Sequence, residues 1–261
     1  MFFYYLASSL TPIEFGDVAE LSFLELLEKF DANLSTSQKK EFEVLRVYFD
    51  LENLKKLFSN QAPDDFDLRG NLTKKQLKEA IENQEFFPRY VFDFLSQHQA
   101  SKDLLIHYPE LLNSYFRNEA EKASGFLKEY LDFEREWRLL LTAFRAKKLK
   151  KNLTKELSFE DPKDEIVETI FQQKESHYFD APAGYEEFYE MLLGAKNNPL
   201  YQYKHLAEFR FKKLRALVQD RPFTLDYLMS YALRVAILED LRILNDIKGQ
   251  QILNTILKDR E

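Results

Sequence analysis

Residues 126–148, FLKEYLDFEREWRLLLTAFRAKK, decide the fold class. Phe126, Tyr130, Phe133, Trp137, Leu140, Phe144 and Lys148 follow one another at spacings of four and three. That period puts six bulky apolar groups on one wide face of a helix. A second row, Leu127, Leu131, Glu134, Arg138, Leu141 and Arg145, begins apolar and ends charged. Glu134 and Arg138 stand four apart, the spacing of an ion pair along a helix surface. Upstream, Leu111, Leu112, Tyr115 and Phe116 belong to a long pattern that starts at Pro109 and meets a break or kink at Gly125. Downstream, residues 224–247 are apolar on nearly every side, as expected of a helix central to its bundle. Glu239, Asp240 and Arg242 interrupt this run; they either face water at the helix's wetter end or make a polar contact with a neighbouring lobe or a partner.

Punctuation between these stretches is that of helices. Ser22-Phe-Leu-Glu25, Ser35-Thr-Ser-Gln38 and Thr73-Lys-Lys-Gln76 each read as a capping box at a helix start. Pro88 opens another helix, and Asp161-Pro162 and Asn198-Pro199 place a cap before a proline at the first helical position. Residues 61–71 and 176–184 read as loops, and Gly249 separates off a short terminal helix bearing Ile252, Leu253, Ile256 and Leu257. The opening segment 2–13 is either strand-like or a short helical anchor. The expected fold is all-α, an elongated multi-helix bundle. The chain is either one helical body over 1–261 or is subdivided into lobes at 1–108 and 109–261, the second holding the long helices.

Composition agrees and narrows function. Six Gly and eight Pro in 261 residues suit long helices, while 24 Phe and 14 Tyr supply rings for helix seams and interfaces. A net charge of −7 from 37 basic and 44 acidic residues is not the balance of a nucleic-acid binder. There is no cysteine, so thiolate metal sites, disulfides and cysteine nucleophiles are excluded. No stretch approaches the roughly 20 apolar residues of a membrane span. The first thirteen residues carry no basic group, so a signal peptide is not expected. Gly-rich phosphate loops and the G-x-S-x-G nucleophile turn are absent. His98, His107, His177 and His205 are read as solvated or helix-end residues, with no metal or cofactor expected. The acidic stretch 156–168 is read as a solvated loop and helix start.

With no catalytic group in view, the candidate residues are those of a docking surface. Arg145, Lys147, Lys148, Lys150 and Lys151 form a basic run after the aromatic helix. It complements the helix dipole and also suits an acidic partner. Asp64, Asp65 and Asp67 form an acidic loop. A second basic group, Arg210, Lys212, Lys213 and Arg215, has the same two readings as the first.

Several segments together resemble a bacterial family encoded beside V-type ATPase genes. They are Tyr4-Tyr-Leu-Ala-Ser-Ser-Leu-Thr-Pro12, Phe126-Leu-Lys-Glu-Tyr-Leu-Asp-Phe-Glu-Arg-Glu-Trp-Arg138 running on to Arg145-Ala-Lys-Lys-Leu149, Asn198-Pro-Leu200 and Leu244-Asn-Asp-Ile-Lys-Gly249. The resemblance implies a central-stalk component of a V/A-type rotary ATPase, similar to the part that sockets the central shaft on the membrane rotor ring. Such a part is structural, has no catalytic residues, and serves ion or proton transport. It is cytoplasmic, peripheral to the inner membrane through the complex, and its partners are the protein subunits of the shaft and the ring. A helical scaffold or adaptor unrelated to the ATPase is the alternative, and a helical enzyme with a metal or small-molecule pocket a third.

Overall fold

A computed structural model describes residues 3–59, 66–174, 176, 180–195 and 198–244. Twelve α-helices and no strand are found among the described residues. The chain forms two compact units: one takes residues 1–34 and 181–261, the other residues 35–180. The expected division at 108/109 falls inside a helix and does not coincide with this one.

The continuous unit is built from α3 (Thr36–Phe58), α4 (Lys74–Asn83), α5 (Arg89–Gln97), α6 (Ser101–Lys122), α7 (Gly125–Lys148), α8 (Leu153–Glu156) and α9 (Glu165–Gln172). The capping boxes at Ser35 and Thr73 form as expected, and Pro88 stands at the N-cap of α5. At its centre α6 packs on α7, with α3 and α5 against α6. Leu104, Tyr108, Leu111, Tyr115 and Phe116 of α6 are buried, as are Phe126, Tyr130, Leu131, Phe133 and Trp137 of α7. Both rows of α7 thus face protein over most of their length. The expected start at Pro109 is corrected, because α6 begins eight residues earlier and runs through the proline. Burial of Leu104 and Tyr108 on the same face as Leu111 outweighs the one backbone bond that proline removes. The break before α7 is real: Ala123 and Ser124 are extended and Gly125 has φ +57°, a left-handed conformation that glycine tolerates.

Two further boundaries differ from expectation. Asp164, not Asp161, caps α9 through its carboxylate, and Asp161 instead accepts from the Lys163 amide in the preceding turn. The short α8 is not among the expected helices, although Asn152 caps it by accepting from the Lys155 amide at 3.1 Å; Leu153 and Leu157 anchor its single turn in the core.

The discontinuous unit comprises α1 (Tyr4–Ser8), α2 (Phe23–Asn33), α10 (Glu186–Gly194), α11 (Pro199–Ala216) and α12 (Leu225–Ile243). The opening segment is therefore helical. It is tied to its unit by the Phe3 amide donating to Phe223 O at 2.6 Å, and by Tyr231 donating to Thr11 O at 2.8 Å. Every residue from Leu228 to Leu238 is buried, as expected of a central helix. Asn198 caps α11 with Pro199 at its first position, and Ser22 completes the capping box of α2. The terminal helix expected at 252–257 lies outside the described residues.

Candidate functional site

The basic run sits where α7 ends. The Lys150 amide donates to Lys147 O at 3.0 Å and the Lys151 amide to Ala146 O at 2.8 Å, closing the helix with Lys150 at φ +54°. This is a Schellman-type close with lysine where glycine is the usual residue. The turn lifts Lys148, Lys150 and Lys151 into solvent, and Arg145 is also exposed beside them. Lys147 is engaged within the protein: its ammonium donates to the carbonyls of Gln173 and Ser176, the latter at 2.9 Å, and so clamps the segment after α9. Lys151 also reaches Glu156 at 3.4 Å.

Of the acidic loop, Asp64 and Asp65 lie outside the described residues. Asp67 is turned inward. Its carboxylate accepts from Arg69 Nη2 at 2.7 Å, and its backbone is bracketed by the Asn53 amide with both bonds at 2.8 Å. Desolvation raises its pKa, but the Arg69 hydrogen bonds and charge outweigh that and hold it below the usual value. The second basic group is likewise engaged within its own unit: Arg215 grips Glu14 at 2.6 and 2.7 Å, and Lys212 reaches Glu208 at 2.9 Å.

Behind the basic terminus lie ion pairs whose burial the sequence reading missed. Glu134 and Arg138 do pair, but inside the protein and not along a surface: the Glu134 side chain is 1% exposed and that of Arg138 19%. The Arg138 guanidinium lies over the rings of Trp137, Phe116 and Tyr48 at 4.2, 4.9 and 5.3 Å. Burial pulls its pKa down, but the Glu134 carboxylate carries the balance, leaving it well above the ordinary value. Close by, Arg135 donates to Asn113 of α6 at 3.1 Å, to Glu160 at 2.6 Å and reaches Asp164 at 2.9 Å. Glu160 is buried, and desolvation raises its pKa despite Arg135. The stretch 156–168 is therefore not merely solvated. Partners 22 to 29 positions away leave no periodic trace, so only the spacing within α7 could have hinted at this cluster.

A third polar group gathers at the α5–α6 corner. His98 caps the end of α5, and its ring stacks on that of His107 at 4.4 Å between centroids and 17° between planes. Asp103 and Glu110 flank the pair; hydrogen bonding to Glu110 raises the His107 pKa. His98 thus has the helix-end place expected of it, and His107 is partly exposed; unexpected is the gathering of the two rings and two carboxylates into one group. The spacings of four from Asp103 to His107 and of three from His107 to Glu110 are the signals of the group that the sequence carries.

Fold and site together define an all-helical protein in which a cluster of ionisable groups ties helices together, with a basic helix end left at the surface. Residues 1–260 match the family described as "Protein of unknown function (DUF2764)", and the chain belongs to that family. It is similar to an "Uncharacterized protein" of Chlamydia muridarum, 24% identical over 261 residues that cover 98% of this chain and 97% of that protein. A counterpart in Chlamydia trachomatis serovar D is 25% identical over 233 residues, covering 87% and 86%. No solved structure matches the chain.

Proposed function

We propose that this chain is a non-catalytic central-stalk component of a V/A-type rotary ATPase, the socket that joins the central shaft to the membrane rotor ring. The observation that carries the reading is the locking of α7. Its two partly buried arginines, Arg135 and Arg138, fasten it to α6 and to the α8–α9 connection, within a seam of close-packed rings. A part that passes torque between its partners has to hold its shape under load, and close-packed interiors deform little. The motif resemblance in the opening, middle and closing segments supports this choice of complex. The exposed end of α7, Arg145, Lys148, Lys150 and Lys151, offers a positive patch to an acidic partner, which steers docking more than it adds affinity. In this reading the chain is cytoplasmic and held at the inner membrane by its partners. No helix among the described residues is long and apolar enough to cross a membrane.

Crosslinking mass spectrometry on native membranes, with an amine-reactive reagent, tests the proposal. Crosslinks from Lys148, Lys150 or Lys151 to proteins of the shaft or rotor ring are the expected result. An intact rotary ATPase purified without this chain, alongside its clean recovery with unrelated proteins, sinks the reading in favour of an adaptor role.

A further inference from the structure

We propose that His98, His107 and Asp103 form a binding site for a borderline divalent cation, Zn²⁺ foremost, that pins the end of α5 to the first turns of α6. The two rings lie parallel and are clamped along both edges by carboxylates. On one edge Asp103 bridges them, with Oδ2 2.8 Å from His98 Nδ1 and Oδ1 3.5 Å from His107 Nε2. On the other edge Glu110 does the same, with Oε1 2.6 Å from His107 Nδ1 and Oε2 3.7 Å from His98 Nε2. The donor atoms of His98, Asp103 and His107 all lie within 4.8 Å of one another.

The donors already lie close together. Tetrahedral donors at 2.0–2.1 Å from zinc stand about 3.3–3.4 Å apart, so the triad, now within 4.8 Å, closes on an ion when the two rings turn out of their parallel stack and aim their Asp103-side nitrogens at a common point. Two imidazoles with one carboxylate is a donor set that favours zinc and its late-transition neighbours over calcium or magnesium, which take oxygen cages. Glu110 then occupies the supporting position. It is hydrogen-bonded to the far nitrogen of His107 at 2.6 Å and stands 3.7 Å from that of His98, so it fixes the tautomer and orientation of the His107 ring as a ligating histidine requires.

The elements hold the triad without help from the ion. Asp103 and His107 share one face of α6 at a spacing of four, and Glu110 follows one turn on. His98 comes from the other element, with its ring against Phe94 at 4.6 Å. Its side chain is 12% exposed while Asp103 is 45% and His107 38%, so an ion can enter from solvent and water can complete the coordination. The inference stands apart from the docking role and does not depend on it.

The full chain, stripped with a chelator and dialysed, is titrated with Zn²⁺ by calorimetry, and with Co²⁺ by visible absorption. One saturable equivalent of Zn²⁺, a tetrahedral Co²⁺ spectrum and a raised Tm on loading are expected. His107→Gln and Asp103→Asn should abolish the equivalent, Glu110→Gln should weaken it about 10–100-fold, and His205→Gln should leave it unchanged. Circular dichroism confirms that each variant is folded. Should a variant unfold, the wild-type Co²⁺ spectrum decides alone. Absence of a saturable equivalent in the wild type, or an equivalent that survives His107→Gln in a folded protein, overturns the proposal.

Discussion

Glu134 and Asp67 show how much a single side chain in this protein depends on its partner. Glu134 is the counter-charge of an arginine set among three aromatic rings. Removing one member of a buried pair strands the other, at a cost of about 3–5 kcal/mol. Glu134→Ala is therefore expected to lower unfolding stability in urea by that amount, whereas the double change Glu134→Leu with Arg138→Met should recover most of it. Asp67 works through pH. Its folded pKa lies below the unfolded value of about 3.9, so its stabilisation is complete above that value and fades as pH falls through the folded pKa. Asp50 has the opposite sign. Burial raises its pKa although the Asn71 and Leu72 amides each bond it at 3.0 Å, and its protonation favours the fold. Tm measured from pH 7 down to pH 3 should fall less steeply in Asp67→Asn and more steeply in Asp50→Asn than in the wild type.

Helix starts are the most legible feature of the chain, because a cap is written in adjacent residues. Ser22, Ser35, Thr73 and Asn198 all open helices as their spacings foretell. What cannot be read locally is any terminus finished by a distant residue. Glu239 of α12 accepts from the Phe23 amide at 2.8 Å, placing a carboxylate on the N-terminus of α2 across 216 positions of sequence. Neither expected reading covers this bond, which lies within its own unit and not with a neighbouring lobe or a partner; Arg242 of the same group is exposed. Loss of an N-terminal carboxylate acceptor costs about 0.5–2 kcal/mol. Glu239→Ala should accordingly speed hydrogen exchange of the first-turn amides of α2 while those of α6 and α7 keep their protection. The start of α6 is hidden for a different reason. Proline normally ends a helical pattern, and only the tertiary burial of Leu104 and Tyr108 carries the helix across it. The candidate site is half legible for the same cause: the basic residues are visible as a run, but nothing local says that Lys147 is consumed by the carbonyls of Gln173 and Ser176 while Lys148 is exposed.

At the scale of the molecule, one unit is an unbroken stretch of chain and the other is not. Residues 35–180 carry their own core, including Leu45, Leu51, Leu54, Leu111, Phe126 and Leu131, and should fold when expressed alone. Far-ultraviolet dichroism and a single cooperative urea transition for that fragment are the expected outcome; a fragment without a transition would mean that its core is incomplete. Residues 1–34 have no such independence. Phe23, Leu26 and Phe30 are all but fully buried in a unit whose remaining material is residues 181–261. On the ribosome these apolar side chains emerge before residues 35–180 and are matched after them. At the usual 5–20 residues per second, about 7–30 s of synthesis separate the two halves of that core. The nascent chain therefore carries a greasy segment ahead of a finished domain before it can be covered, and its yield in a cell will track the supply of chaperones that hold such segments.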